Sequence, residues 1–228
     1  MLDQERIFSI LELLKLFNTS KKLASNLVQN FFRSRKDMGS KDRKFISNSF
    51  WNILRYRSKI EWHLTFLSLE ITNEKKLMLE LFFLNSHYKK NLLEINKLFI
   101  LKCRDFKIYT NEDLDFLKDL IFEDFYNKKM PEHIFYELPE YLIESVKKSF
   151  PNDWKQVLLS LNDEAFFDIR INNLKFKSRE EIKSLLKDID VNSEYNKYSP
   201  VGIRFSKRHP IEGHKLFKNF MTFYWISF

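Results

Sequence analysis

Apolar residues recur at helical spacing through the first 160 residues of the chain. In the first segment they stand at Ile7, Ile10, Leu14 and Phe17, a period of 3.6 residues that predicts an amphipathic helix. The same spacing predicts helices near 23–31, 40–54, 60–69, 74–87, 89–103 and 112–124. A sheet needs turn residues such as glycine and proline, and this stretch has very few of them. We therefore expect residues 4–125 to form a helical bundle without a sheet, with Ser40 as the N-cap of one helix.

The pattern changes in the last third of the chain. Residues 165–174 alternate apolar and polar side chains with a period of two, which predicts a β-strand. Ser178 and Glu181 then have the spacing of a capping box, which predicts the start of a helix. Residues 200–205 are a candidate second strand, so the order is β–α–β. Upstream of this segment, short connecting helices are predicted to begin at prolines, namely Pro131, Pro139 and Pro151.

Positive charge is concentrated in residues 31–60. This segment contains nine Lys or Arg and two Asp, a local net charge of +7, whereas the whole chain carries +8. A polyanion is the natural partner of such localised charge, although a solvated basic helix face without a partner is also compatible with it. We predict that RNA is contacted by eight of these cations: Arg33, Arg35, Lys36, Lys41, Arg43, Lys44, Arg55 and Arg57.

Signals for catalysis are sparse. The chain has three glycines, too few for a glycine-rich phosphate-binding loop, and it has no HExxH motif. Its five histidines are scattered without metal-ligand spacing. The single cysteine, Cys103, excludes a disulfide within the chain, and its apolar helical context favours a packing role over an activated thiolate. We therefore predict no catalytic, cofactor-binding or metal-binding residue.

The sequence predicts neither a membrane span nor a signal peptide. No run of about 18 apolar residues is present, so we expect no membrane span, and the N-terminus has the pattern of an amphipathic helix rather than a signal peptide. We expect a cytoplasmic monomer. The last nine residues, FMTFYWISF, are uncharged and rich in aromatics, so we expect a poorly packed tail that favours aggregation.

Two segments resemble the RsmB/Sun family of RNA cytosine-5 methyltransferases. The first, FFRSRKDMGSKDRKFISNSFWNILRYR, resembles the arginine-rich turn and the following helix at the N-terminus of that family. The second, FDIRINNLKFKSREEIKSLLKDID, resembles its “LRVNTLK…R-E-L…L” segment. The similarity is colinear from about residue 4 to 219. The matching positions are Gly39, Ser40, Lys41, Asp42, Arg43, Leu54, Arg55, Arg57, Arg170, Asn172, Leu174, Lys175, Arg179 and Leu185.

The resemblance implies a mainly α fold. It implies a NusB-like RNA-binding helical domain at 1–128, then connector helices and a partial α/β linker domain at 129–219, before the aberrant tail at 220–228. In the family a further Rossmann-like domain binds S-adenosylmethionine and carries two catalytic cysteines, and no position here matches those residues. The resemblance therefore implies RNA, foremost rRNA, as the partner, and no cofactor in this chain.

Two functions from different classes are compatible with these observations. The chain is either the RNA-binding N-terminal portion of a methyltransferase, truncated before its catalytic domain, or a stand-alone NusB-like module that retains RNA or ribosome-assembly contacts without catalysis. A non-functional remnant is a third possibility. In each case we expect no methyltransferase activity from the chain by itself. The sequence identifies neither the target RNA nor the target nucleotide.

Overall fold

The computed structural model describes residues 1–86, 88–100, 115–120, 123–163, 165–173 and 175–206. The chain divides into two compact units, with the division after Asn162. The first unit is helical and the second contains a small sheet, so the predicted fold class is confirmed. The domain boundaries predicted near 128 and 219 stay predictions. The expectations for Cys103 and for the tail at 220–228 lie outside the described residues.

The first unit begins with a series of longer helices. These are α1 (Asp3–Thr19), α2 (Ala24–Ser34), α3 (Ser40–Arg55), α4 (Arg57–Phe66), α5 (Asn73–Phe83) and α6 (Leu92–Ile100). Shorter helices follow: α7 (Phe116–Asp119), α8 (Glu132–Phe135), α9 (Glu140–Ser149) and α10 (Trp154–Ser160). The described part of residues 4–125 contains no strand, which confirms the predicted helical bundle there. No helix in the described ranges is both long and apolar enough to cross a bilayer.

Helix α3 packs against α1, α4 and α5 through its apolar face. Ile46, Phe50 and Ile53 on that face are almost completely buried, as the 3.6-residue period requires. The Phe50 ring meets Phe17 of α1 edge to face, with ring centroids 5.9 Å apart. Helix α5 closes the other side with side chains that are fully buried, so the bundle has one continuous core.

Glu80 is a buried carboxyl group in this core. Its Oε1 accepts a hydrogen bond of 3.0 Å from the Asn52 side chain of α3. Burial disfavours the charged form and raises the pKa of Glu80 to about 7, although the hydrogen bond from Asn52 acts in the opposite direction. Near neutral pH the folded chain therefore holds a proton on Glu80 that the unfolded chain releases.

A buried ion pair joins two distant parts of the first unit. The Glu137 carboxylate accepts hydrogen bonds from the backbone N–H groups of Ser58 at 3.1 Å and Lys59 at 2.7 Å, in the first turn of α4. The Lys59 ammonium lies 3.8 Å from the same carboxylate and is fully buried, and its desolvation lowers its pKa to about 8. Glu137 has a left-handed backbone with φ of 53°, so this connection includes a strained residue.

In its described residues, the second unit is a three-stranded antiparallel sheet with one helix. Its elements are β1 (Phe167–Arg170), α11 (Arg179–Asp188), β2 (Ser193–Tyr195) and β3 (Gly202–Phe205), and the strand order is β1-β3-β2. The predicted strand, helix and second strand are all present. Strand β2 was not predicted, because its sequence is short and polar. Ser178 caps α11 by accepting from the Glu181 N–H, as predicted.

The two faces of this sheet differ in character. Phe167, Ile169, Ile203 and Phe205 are buried and belong to one apolar cluster with Ile182 and Leu186 of α11. Successive residues of a strand point to opposite faces, so the intervening residues share the other face. Asp168 of β1, Arg204 of β3 and Glu194 of β2 stand opposite one another there. The sheet therefore has one packed face and one polar face.

Glu80→Gln tests the buried carboxyl group. Glutamine keeps the acceptor for Asn52 and cannot ionise. The pKa of Glu80 is higher in the folded chain than in the unfolded chain. Glu80 therefore contributes most to the free energy of unfolding below its unfolded-state pKa, and this contribution is lost as pH rises to about 7. We expect the variant to gain up to about 3 kcal/mol over the parent in free energy of unfolding between about pH 5 and pH 8, measured by urea unfolding. The control Glu70→Gln changes an exposed carboxylate and should gain nothing across that range. A parallel pH profile for Glu80→Gln and the parent would contradict the burial argument.

Gly202→Ala tests a close approach in the sheet. A Cβ on Gly202 would lie 2.8 Å from the Asn196 Cβ and 2.9 Å from the Ser199 Cβ, so the loop before β3 would have to move. We expect a loss of about 1–3 kcal/mol in local stability, measured as faster amide hydrogen exchange in β1 and β3. Gly39→Ala is the matched control, since its Cβ would meet only the Asp42 Oδ2 at 3.4 Å. Equal amide exchange in the two variants would show that the loop before β3 moves to accept the Cβ without loss of stability.

Candidate nucleic-acid interface

The eight predicted RNA-contacting residues lie on a helix–turn–helix stretch of the first unit. Arg33 is near the end of α2, and Arg35 and Lys36 follow it in the turn. Lys41, Arg43 and Lys44 are in the first two turns of α3, Arg55 ends that helix and Arg57 begins α4. The structure therefore brings the predicted residues into one continuous segment, but their side chains fall into two groups.

Six of the eight side chains are exposed. Within the described residues, five of these exposed cations have no hydrogen bond or ion pair through the side chain: Arg33, Lys36, Lys41, Lys44 and Arg55. We call these five residues the basic surface. The sixth, Arg57, donates to the Glu61 carboxylate at 2.8 Å, an exposed i,i+4 pair. The basic surface therefore offers charge that no nearby carboxylate neutralises.

Three members of the basic surface share one face of α3. At about 100° per residue, Lys41, Lys44 and Arg55 fall within a sector of about 60° around the helix axis. This sector is opposite the buried face that contains Ile46 and Phe50. Along the axis, the 1.5 Å rise per residue separates Lys41 from Arg55 by about 21 Å. The α3 cations therefore form a stripe and not a ring.

Arg43 holds the turn between α2 and α3 instead of extending from it. Its Nε donates to the Met38 carbonyl at 2.9 Å, and its Nη2 donates to the Arg35 carbonyl at 2.7 Å. The guanidinium also lies over the Phe32 ring, 5.7 Å from the centroid. The Arg43 guanidinium thus connects two carbonyl groups of the turn. That Arg43 contacts RNA stays a prediction.

Arg35 is also engaged within the protein. Its guanidinium forms an ion pair with Glu12 of α1 and lies 5.2 Å from the centroid of the Phe31 ring. The turn is thereby tied to α1 on one side and to α3, through Arg43, on the other. Arg35 and Arg43 therefore fix the path of the chain that carries Lys36.

Asp42 is the second acid within the basic segment, and it is buried. Its Oδ1 accepts from the Arg6 Nε at 2.7 Å. This hydrogen bond, together with the nearby N-terminal amine, lowers the pKa of Asp42 and keeps it ionised. Arg6 of α1 thus neutralises the one carboxylate at the start of α3. The helix begins at Ser40 with Gly39 as its N-cap, so the prediction of Ser40 as the N-cap was wrong by one residue.

The His, Cys, Asp and Glu side chains of the described residues form no candidate metal site. Within the described ranges, no group of three His, Cys, Asp or Glu side chains is placed to hold a metal ion. His63 is buried, as a packing role predicts, and it stacks on Phe83 with ring centroids 4.9 Å apart. Burial lowers the pKa of His63.

The second unit contains a cluster that the sequence did not point to. The Arg204 guanidinium makes two hydrogen bonds of 2.8 Å to the Asp168 carboxylate and lies 4.0 Å from the centroid of the exposed Phe166 ring. Asp168 is in β1 and Arg204 is in β3, so only the register of the sheet brings them together. The alternation of residues along β1 predicts which face Asp168 lies on, but it does not predict that Arg204 is its partner.

Comparison with known proteins identifies part of the chain. Residues 138–212 match a family described as the Methyltr_RsmF/B-like, ferredoxin-like domain. The fold is similar to the crystal structure of PH0851, with a TM-score of 0.58 and 17% sequence identity over 95% of this chain and 52% of that chain. The chain thus spans about half the length of PH0851, and the likeness concerns the fold. The comparison with curated proteins gives no match.

The described residues combine two kinds of unit. The chain has a helical unit with a one-sided basic surface, followed in sequence by a small antiparallel α/β unit. Residues 138–212 are similar to the RsmF/B-like ferredoxin-like domain. The predicted resemblance to the RsmB/Sun family is confirmed.

A pair of neighbouring variants separates the two kinds of cation. Arg43→Ala removes both hydrogen bonds to the turn carbonyls, so we expect a loss of about 1–3 kcal/mol in the free energy of unfolding. Lys44→Ala removes the same charge from an exposed side chain and should change it by less than about 0.5 kcal/mol. Urea unfolding followed by tryptophan fluorescence measures both. Equal losses in the two variants would show that the cross-link contributes nothing.

Proposed function

We propose that this chain is the RNA-binding N-terminal portion of an S-adenosylmethionine-dependent rRNA (cytosine-5)-methyltransferase. In this proposal the basic surface contacts phosphate groups of the RNA. The match of residues 138–212 to the RsmF/B-like domain supports the methyltransferase family, and the resemblance to the RsmB/Sun family supports RNA as the substrate.

The unpaired state of the basic surface is the observation that carries the proposal. Exposed cations usually gain little from ion pairs, and a surface selected only for solubility mixes both signs of charge. Here Arg6 neutralises the carboxylate of Asp42, and the five cations of the basic surface have no such partner. Binding a polyanion to them releases condensed counterions, which is the main source of affinity for nucleic acid.

Arg35 and Arg43 have a positioning role in this proposal. They hold the turn through Glu12 and through the carbonyls of Met38 and Arg35 itself. Lys36 then extends from a turn of fixed geometry, which lowers the entropic cost of ordering it on RNA. Most contacts are to phosphate, so this surface supplies affinity and orientation and little sequence preference.

We assign no step of methyl transfer to the residues of this chain. The two glycines in the described ranges do not fit the needs of a cofactor loop. Gly39 is the N-cap of α3 and has room for a side chain, and the space above Gly202 is filled by Asn196 and Ser199. The cofactor and the cysteine nucleophile therefore belong, in this proposal, to a domain that these residues do not form.

The salt dependence of RNA binding tests the proposal. If about five phosphates are neutralised on a single strand, log K against log salt has a slope of roughly −3.5. Changing Arg33, Lys36, Lys41 and Lys44 to Ala should flatten this slope by roughly 2.8 and remove most of the binding. Fluorescence anisotropy with a labelled single-stranded RNA over a series of KCl concentrations measures it.

The control for this experiment removes the same charge elsewhere. It changes four exposed lysines outside the basic surface to Ala: Lys22, Lys128, Lys148 and Lys155. This variant should keep the parent slope. Equal flattening in both variants would mean that only net charge matters. An unchanged slope in the first variant would mean that the basic surface is a solvated face without RNA contacts.

A further inference from the structure

Phe166 is an exposed aromatic residue on the polar face of the small sheet. It directly precedes β1, and its side chain is 67% exposed. Residues two apart in a strand share a face, which places Phe166 on the same face as Asp168 and Arg170. The next residue, Phe167, is buried and packs on Phe205 with ring centroids 5.0 Å apart. One of two adjacent phenylalanines thus builds the core, and the other is left in solvent.

Arg204 is fixed beside this exposed ring. Both of its hydrogen bonds to Asp168 are 2.8 Å long and parallel, the bidentate arrangement that orients a guanidinium plane. Asp168 is itself held, because its Oδ2 also accepts from the Asn196 side chain at 2.8 Å. The guanidinium carbon lies 4.0 Å from the Phe166 ring centroid. Arg204 therefore covers one side of the ring and restricts its motion, while most of the ring stays open.

A second exposed ring comes from the loop that positions Asp168. Tyr198 is 83% exposed, and its backbone N–H donates to the Asn196 side chain at 2.8 Å. The Lys197 ammonium lies 5.7 Å from the Tyr198 ring centroid. Asn196 thus connects the loop of Tyr198 to Asp168, the residue that holds Arg204 beside Phe166.

We propose that this face binds an unpaired nucleobase of single-stranded RNA, stacked on Phe166 beside Arg204, with the flanking phosphates near Arg170 and Lys197. Base stacking needs an open, oriented π-surface, and backbone binding needs nearby cations. Arg204 is paired with Asp168, and two further cations are available here: Arg170 on the same face of β1, and Lys197 in the loop next to Asn196. The ligand class rests on the proposed RNA function, but the residues and the interaction differ from those of the basic surface.

We call the sheet face with Phe166, Asp168 and Arg204 the stacking face. The basic surface and the stacking face differ in the interaction that they offer to RNA. The basic surface is built from unpaired cations, and the neighbouring rings of Phe31 and Phe32 are buried or half-buried. The stacking face has fewer unpaired cations and two open rings. A phosphate chain without bases should therefore bind the first and gain nothing from the second. This difference makes the two proposals separable in one assay.

The test uses the full chain and two oligoribonucleotides of equal length. One contains bases, with 2-aminopurine at its centre, and the other has abasic units over the same central positions. We expect Phe166→Leu, which keeps an apolar side chain without a ring, to weaken binding of the base-containing strand by at least about fivefold. Its affinity for the abasic strand and its salt slope should match the parent, and quenching of 2-aminopurine on binding should be lost. Phe166→Trp should restore both affinity and quenching.

Tyr141→Leu is the matched control, because Tyr141 is 71% exposed on α9 and has no cation over its ring within the described residues. It should leave all readouts unchanged. If Phe166→Leu binds both strands like the parent, or loses both equally, the stacking proposal is wrong. A flattened salt slope in the four-site variant of the basic surface, with an unchanged preference for bases over abasic units, would still support the proposed function. Failure of one proposal is therefore visible independently of the other.

Discussion

Burial of one face of α3 between α1 and α5 is the constraint on which the rest of the helical unit depends. The helical period assigns Ile46, Phe50 and Ile53 to the core, and the same period then assigns Lys41, Lys44 and Arg55 to solvent. Rotating the helix to bury any of these cations would expose a large apolar side chain. The position of the charge is therefore a consequence of packing, and the core and the basic surface cannot vary independently.

Ion pairs and hydrogen bonds fix the start of α3 and the turn that precedes it. Arg6 pairs with the buried Asp42 and fixes the start of α3 against α1. Arg43 and Arg35 fix the turn that precedes it. The exposed cations of the basic surface take no part in these internal pairs. A stretch that is uniformly basic in sequence is thus divided by the fold into structural and solvent-facing charges.

Much of the fold could be predicted from the sequence, because periodicity is a local property. The helices of the first unit, the alternation in β1 and the capping box of Ser178 all rest on residues close together in the chain. The division of the eight predicted cations rests on partners far away, such as Glu12 for Arg35, and no local pattern contains that information. Arg204 and Phe166 were missed for the same reason, since a cross-strand register brought them together. Strand β2 was missed because three polar residues give no alternation to read.

The contact of Glu137 with α4 has a consequence for the order in which the chain acquires structure during synthesis. The carboxylate that satisfies the first N–H groups of α4 belongs to a residue 78 and 79 positions after its partners Lys59 and Ser58. At about 5–20 residues per second, a ribosome adds this stretch in about 4–16 s. During that interval the start of α4 must take its hydrogen bonds from water. The helix that begins at Arg57 therefore acquires its native N-terminal hydrogen bonds only after Glu137 has left the ribosome.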